Sequence, residues 1–210
     1  MKKRIIAGLL TLAVIISAAL GLSSCARYAD EDSFTIEEGV VLRLNTDKAS
    51  YSVTSLTDRD VETITIPDKY NGKKITRISL KEVWHGLDSP ITTTIKKNEN
   101  VKTLKIGKYV KSIDERFFNY YTGLTEINVS ESNNKFKSID GVLFSKNGKT
   151  LIRCPIAKAG DYNIPNKAVK LDYSSFQNCK NLTNITIHKN VKYIYFSAFY
   201  GLTSEQTIYI

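Results

Sequence analysis

A hexad of apolar positions returns along this chain with a period of 23 residues. The hexad has apolar residues at its first, fourth and sixth positions, and its complete copies are Val61-Ile64-Ile66, Val101-Leu104-Ile106, Leu124-Ile127-Val129 and Leu182-Ile185-Ile187. Its last half recurs at Tyr162-Ile164 and Ile208-Ile210. Steps of 23 residues separate equivalent positions in three cases, and gaps of 40 and 35 residues fit one repeat plus an insertion. Because one such turn cannot bury its apolar side alone, the period predicts stacked coils that share a core.

Further apolar residues recur at fixed places within the period. Four positions after the last hexad residue stand Val110, Ala168 and Val191, and seven positions after it stand Ile113, Leu171 and Ile194. Twelve positions after it stand Phe118, Phe176 and Phe199. We predict that these residues form the core and that the three phenylalanines stack in a column. With 42% hydrophobic and 10% aromatic residues, the composition suits a folded domain and excludes collagen, a coiled coil and bulk disorder.

Several short stretches carry a more specific pattern. They are Ser175-Phe176-Gln177-Asn178-Cys179-Lys180-Asn181-Leu182, Ser197-Ala198-Phe199, Ile164-Pro165 and Thr65-Ile66-Pro67. Together they resemble the BspA-type leucine-rich repeat over about residues 51–210. The resemblance implies a leucine-rich repeat solenoid, a right-handed coil with a parallel sheet on its concave face and an irregular or short helical convex side. It fails at Val83-Trp84-His85-Gly86, where the repeat has Ala-Phe-x-x-Cys.

An insertion at about residues 130–160 interrupts the repeats. It contains Val142-Leu143-Phe144, an Asn147-Gly148 turn and Leu151-Ile152-Arg153, which together predict a β-hairpin. Short strands are also expected before the first repeat. We therefore predict an N-terminal cap over residues 34–60 and repeats over residues 61–210.

The first 24 residues have the features of an export signal. Three basic residues precede an apolar run that ends in small residues, and Leu22-Ser23-Ser24-Cys25 follows. That tetrapeptide resembles the bacterial lipobox, which implies a lipoprotein signal peptide over residues 1–24 and acylation of Cys25. A plain signal or a retained membrane anchor is the alternative. Residues 25–33 then form a polar, lipid-anchored tether, and the product is exported and held on the bacterial cell envelope, exposed at its surface.

Residues that alternate with the buried hexad positions should point outward from the sheet. They make a mostly neutral surface rich in Thr and Asn, which we predict as the binding face: Thr65, Thr103, Lys105, Glu126, Asn128, Asn163, Asn184, Thr186 and Tyr209.

The sequence offers little material for catalysis or metal binding. His85 and His188 are its only histidines, and with Cys154 and Cys179 they show no zinc-ligand spacing. We therefore expect no enzyme, catalytic residue, metal or cofactor. Cys154 and Cys179 are either a disulfide or, with slight preference, separate buried thiols. Without residues 1–24 the net charge falls from +9 to +6. In an exported protein this charge favours anionic surface partners over nucleic acid, and a scattered, solvated surface with no specific partner is the alternative.

The resemblance to BspA-like proteins implies adhesion to, or capture of, proteins of a host or neighbouring cell. Two alternatives stay open, a glycan-binding or nutrient-capture accessory and a structural envelope protein. Exposed tyrosines, among them Tyr173, Tyr195 and Tyr200, would suit a recognition surface or the half-buried ridge of a solenoid equally well.

Overall fold

The computed structural model describes residues 33–35, 40–56, 60–79 and 97–210. The proposed leader, Cys25, Trp84 and His85 lie outside these described residues. By internal contacts the chain divides into Met1–Ser33 and Phe34–Ile210, and the architecture belongs to the second of these units. The part of the chain that is described contains no helix of the length and apolarity that crossing a membrane requires.

Strands dominate the fold. In chain order they are β1 (Ser33–Thr35), β2 (Val40–Leu44), β3 (Ser50–Leu56), β4 (Thr63–Ile66), β5 (Lys69–Tyr70), β6 (Lys73–Ile78), β7 (Thr103–Ile106), β8 (Ser112–Ile113), β9 (Glu126–Val129), β10 (Phe136–Ile139), β11 (Val142–Ser145), β12 (Thr150–Arg153), β13 (Gly160–Asn163), β14 (Lys170–Leu171), β15 (Leu182–Thr186), β16 (Tyr193–Ile194) and β17 (Thr207–Tyr209). A 3-10 helix, Glu115–Asn119, lies between β8 and β9.

The hexads form the first strand of each coil, and equivalent strands pair in parallel. Strands β4, β7 and β9 make one three-stranded sheet, and β13, β15 and β17 make another. Leu104 is paired with Ile127, and Tyr162 with Ile185, which is in turn paired with Ile208. The predicted leucine-rich repeat solenoid is therefore confirmed. Residues 23 positions apart in the sequence are paired in neighbouring strands.

The single sheet expected from the repeats is divided in two. Strands β9 and β13, which lie on either side of the insertion, are not neighbours in a sheet. Instead the Ile127 amide donates to the Gly141 carbonyl over 2.8 Å, so the inserted hairpin lies beside β9. The insertion occupies the place at which the two sheets would otherwise join.

A second set of short strands follows the first in each coil. Strand β8 pairs in parallel with β6, and β14 pairs in parallel with both β12 and β16. Strands β8, β14 and β16 end at Ile113, Leu171 and Ile194, which occupy equivalent positions in the repeat. The sequence predicts these residues as core but predicts no strand there. The coil therefore carries strands on two sides.

The predicted hairpin is present. Strands β10, β11 and β12 form an antiparallel meander, and β12 then joins the second strands of the following coils. The turn between β11 and β12 places Gly148 at φ 72°, a conformation that glycine adopts without a steric penalty. At the N-terminal side, β2 and β3 form an antiparallel pair, and β3 continues in parallel onto β6.

The column of phenylalanines is interrupted. Phe176 and Phe199 stack with ring centroids 5.4 Å apart and an interplanar angle of 16°. Phe118 instead belongs to a separate cluster of buried residues in the N-terminal part of the unit. The guanidinium of Arg153, from the inserted hairpin, stands over the Phe118 ring at 5.7 Å. The insertion thus divides the core as well as the sheet.

Candidate functional site

The sheet β4–β7–β9 presents a polar face between its buried positions. Ile64, Leu104 and Ile127 face the core, whereas the residues between them are wholly or partly exposed. Thr65, Lys105 and Asn128 are direct partners across the three strands. Neighbouring strands lie about 4.8 Å apart, so these three side chains form one short row.

A groove of about 430 Å³ follows this row. Thr65, Lys105 and Asn128 line it, together with Asp68 and Gly107 at the ends of β4 and β7. We call it the front groove. A Cβ atom on Gly107 would lie 2.7 Å from the Ile66 carbonyl oxygen, so this close approach of two coils requires glycine.

Two side chains fix the backbone at the end of the groove. The buried Asn133 donates from Nδ2 to the carbonyls of Gly107 and Val110 over 2.9 and 3.0 Å. Asp68 accepts the Lys108 amide at Oδ1 over 2.5 Å. The groove wall is therefore held by hydrogen bonds between successive coils.

The second sheet continues the polar pattern on different residues. Asn163, Thr186 and Tyr209 are direct partners across β13, β15 and β17. Asn184 donates from Nδ2 to Asp161 Oδ1 over 2.7 Å, which links two neighbouring coils. The Tyr209 ring is exposed at the edge of this sheet.

All nine residues predicted as the binding face have side chains that are at least partly exposed. The structure divides them between the two sheets: Thr65, Thr103, Lys105, Glu126 and Asn128 lie on the first, and Asn163, Asn184, Thr186 and Tyr209 on the second. The first group adjoins the front groove, which is formed with the ends of its strands.

Comparison with known protein families agrees with the repeats seen in the structure. The model of the BspA type leucine rich repeat region matches residues 48–159 and 154–210, with six copies in the chain. The chain belongs to the BspA-type leucine-rich repeat family. No curated protein matches its sequence closely enough to count as a relative.

Solved structures resemble this BspA-type chain in fold. The pneumococcal vaccine antigen PcpA superposes with a TM-score of 0.57 at 22% identity, over 76% of this chain and 42% of that one. A leucine-rich repeat protein of Eubacterium ventriosum gives 0.48 at 18% identity, over 84% and 65%. A leucine rich cell surface protein of Faecalibacterium prausnitzii gives 0.42 at 15%, over 85% and 76%. The chain thus spans less than half of PcpA and about two thirds of the second protein.

A cluster of lysines, which the sequence analysis does not identify, adjoins the front groove. The ammonium groups of Lys69, Lys74 and Lys108 lie 5.9, 4.8 and 5.4 Å from the centroid of the Tyr109 ring. Cations at this distance from an aromatic face are attracted to it. Lys69 and Lys108 directly follow the groove residues Asp68 and Gly107, so the lysine cluster adjoins the end of the groove that carries the Asp68 carboxylate. Lys69 and Lys74 are partners in the antiparallel pair β5–β6, and the next coil brings Lys108 to them.

The histidine and cysteines in the described residues have structural partners. His188 donates from Nε2 to the Pro165 carbonyl over 2.7 Å, and its Nδ1 accepts the Asn190 amide over 3.1 Å. Cys154 and Cys179 are free, buried thiols, and the Cys179 thiol contacts the Cys154 carbonyl at 3.7 Å. Across residues 33–35, 40–56, 60–79 and 97–210, no three Asp, Glu, His or Cys residues cluster as a metal site would require.

Arg153, which no sequence motif marks as functional, is the largest fully buried side chain of the described residues. Its burial follows from the alternation within β12, where Leu151 and Arg153 share the inner side. Desolvation by burial lowers the pKa of the guanidinium, and nearby Cys179, Cys154 and Glu115 oppose that shift. The period of two in β12 is the signal that could have identified this residue.

Proposed function

We propose that this protein is a lipid-anchored, cell-surface BspA-type protein that binds a partner protein through the front groove. The observation that carries the proposal is the row Thr65, Lys105 and Asn128, which lines a groove of about 430 Å³ on strands held in register. Rigid strands present these side chains at fixed spacing, and preorganisation lowers the entropy lost on binding.

The partner surface should be acidic and contain hydrogen-bonding groups. Lys105 is exposed on the groove, and the lysine cluster around Tyr109 adds three ammonium groups at one end. Among the described residues, none of these three ammonium groups has a carboxylate within ion-pair distance. A basic surface speeds association with an acidic partner and makes that association sensitive to salt.

The envelope location rests on the sequence alone. The basic, apolar and small-residue segments over residues 1–24 and the lipobox at Cys25 support an anchored lipoprotein. A multiply acylated cysteine binds a membrane stably, whereas one chain binds only marginally. The polar residues after Cys25 would then separate the repeat unit from the lipid surface.

The experiment changes the groove and leaves the coils intact. Residues 26–210 are immobilised, partners from host or neighbouring-cell surface extracts are identified, and the affinity of each purified partner is measured. The triple variant Thr65→Glu, Lys105→Glu, Asn128→Glu should weaken binding by at least about tenfold, or 1.4 kcal/mol. The control Lys111→Glu, Lys192→Glu lowers the net charge equally at exposed sites outside the groove and should retain most of the affinity. Equal affinity of the triple variant and the parent protein for every partner would refute the front groove as the site.

A further inference from the structure

A second cavity, of about 160 Å³, lies where the inserted hairpin meets the coils on either side of it. Phe118 and Glu115 line it from the 3-10 helix, Phe136 and Arg153 from the hairpin, and Asp172 and Tyr173 from the coil after β14. It shares no lining residue with the front groove. This cavity exists because the insertion interrupts the stacking of the repeats.

Aromatic rings form the apolar part of the cavity. Phe118 and Phe136 are buried, whereas Tyr173 stands at the rim with 52% of its surface exposed. The Tyr173 ring rests against Tyr195 at a centroid distance of 4.9 Å and an angle of 63°. Tyr195 in turn carries the ammonium of Lys170 over its face at 4.5 Å. The rim tyrosine is therefore held in place before any ligand arrives.

Arg153 supplies unused hydrogen-bond donors. The side chain is only 2% exposed, and its two terminal nitrogens donate to the carbonyls of Ser174 and Gln177. Its Nε has no partner. A guanidinium has five N–H donors, and leaving a buried donor unsatisfied costs about 1–3 kcal/mol or more. The two terminal nitrogens carry four N–H groups and make the two bonds named above, so donors remain for an acceptor atom of a ligand in the cavity.

Two carboxylates give the cavity acceptors as well. Glu115 is exposed at its edge, and Asp172 pairs with Lys170 at 3.3 Å while also lining the cavity. An anionic ligand would be repelled by both carboxylates, and a cationic ligand by the buried guanidinium. The charges therefore favour a neutral ligand whose groups both donate and accept, and hydroxyl groups do this.

The volume limits the size of that ligand. A cavity of about 150 Å³ takes one six-membered ring of the size of benzene. A pyranose has a six-membered ring with an apolar face of C–H groups. Its neutral hydroxyls make the whole sugar larger than benzene, so it enters with its ring face and leaves its outer hydroxyls at the open rim beside Tyr173. We propose that the cavity between the hairpin and its neighbouring coils binds one neutral pyranose unit of a glycan.

The first experiment follows amide NMR signals of residues 26–210 during titration with neutral methyl pyranosides of glucose, galactose, mannose and N-acetylglucosamine. At least one should shift the signals of Arg153 and Tyr173, with a dissociation constant on the order of 1 mM. The matching uronate and amino sugar should bind at least about tenfold more weakly. Absence of any shift at 100 mM, or tighter binding of the uronate, overturns the proposal and leaves the cavity to water or to an acidic ligand.

Variants then test the geometry. Arg153 is buried, so the test uses the exposed ring instead: Tyr173→Ala should weaken pyranoside binding at least about fivefold. Tyr200→Ala removes a tyrosine that is also more than half exposed but does not line the cavity, and it should leave binding unchanged. Equal losses in both variants, or none in Tyr173→Ala, overturn the site. An oligosaccharide that binds more tightly than its methyl pyranoside supports a glycan chain, whereas equal affinity shows that a free sugar is the ligand and overturns the glycan assignment.

The front-groove triple variant separates this proposal from the protein-binding function. It should bind the pyranoside as the parent protein does, because the two sites have no residue in common. Loss of the protein partner with retained sugar binding would support both sites independently.

Discussion

Apolar residues at equivalent repeat positions are buried in the inner coils and exposed in the last described coil. Leu171 is fully buried, whereas Ile194, its equivalent 23 residues later, is 49% exposed. Ile185 is likewise buried, and its partner Ile208 is 38% exposed. Phe196 and Ile210 of the last coil are also exposed. At these positions the residue of an inner coil is covered by the coil that follows it, whereas its equivalent in the last described coil is exposed.

Stability is therefore distributed unevenly along the repeats. In a stack, each coil contributes little alone, and the interfaces between neighbours supply most of the favourable free energy. Inner coils have two such interfaces. The last described coil has one, so equivalent substitutions there should have smaller effects.

Thiol reactivity should show the largest contrast. Burial raises the pKa of the Cys154 thiol, so little of the reactive thiolate is present even at pH 8. In a Cys25→Ser background, Cys154 and Cys179 should react with a disulfide reagent only when the coils open. Leu202→Cys places a thiol at the station of Cys179 in the last coil, and it should react at least about a hundredfold faster.

The measurement is the rate of thiol modification at pH 8 with and without denaturant. In denaturant the three thiols should react alike, which is the control for intrinsic reactivity. Fast modification of Cys154 and Cys179 in the native protein would show that the inner coils are no better protected than the last.

A matched pair of truncations should show the next largest contrast. Ile185→Ala removes a fully buried side chain and should lower the free energy of unfolding by about 2–5 kcal/mol. Ile208→Ala makes the same change at the paired position in the last coil and should cost about 1 kcal/mol or less. Urea unfolding followed by circular dichroism measures both. Similar losses would mean that the last coil is as well packed in solution as the inner ones.

The smallest expected effect on the free energy of unfolding concerns the residue four positions before each of Phe118, Phe176 and Phe199. Asp114 caps the 3-10 helix by accepting the Arg116 amide over 3.0 Å, and it also accepts two bonds from the Arg116 guanidinium. Asp172 stands at the same station and makes an ion pair with Lys170, whereas the last coil has Tyr195 there. Asp114→Ala should cost about 1 kcal/mol, and Asp172→Ala about 0.5 kcal/mol or less.

The pH dependence checks the Asp114 contribution. The side-chain hydrogen bond from Arg116 is the main cause that lowers the pKa of Asp114 in the folded protein. Its contribution is therefore complete above the unfolded pKa, near 3.9, and disappears as the pH falls through the lower folded value. The difference in unfolding free energy between the parent protein and Asp114→Ala should be constant at neutral pH and shrink in acid. A difference that grows in acid would contradict this assignment.

Much of the architecture could be predicted from periodicity. The hexads define the first strands, and the spacing of 23 residues gives pairs such as Leu104 with Ile127 directly. The hairpin could be predicted because an Asn-Gly turn between apolar runs is a strong local signal. These features depend on residues close in sequence or on a strict repeat, and both are visible in one dimension.

The division of the sheet, the lysine cluster and the second cavity could not be predicted in the same way. Each depends on where the insertion lies against neighbouring coils, and no spacing encodes that placement. Arg153 shows this best, because the alternation in β12 assigns the side of the strand on which it lies but not the groups that cover that side. Here it lies between Phe118 and the coil of Phe176.

The amino-acid sequence by itself therefore determined the repeat, its register and the polar character of the exposed face, since these follow from which residues recur at equal intervals. The tertiary structure alone decided which of the exposed residues share a groove, which apolar positions in the last coil stay uncovered and where Arg153 is buried. The physical reason is that burial and proximity belong to pairs of coils, whereas a repeat pattern describes each coil separately.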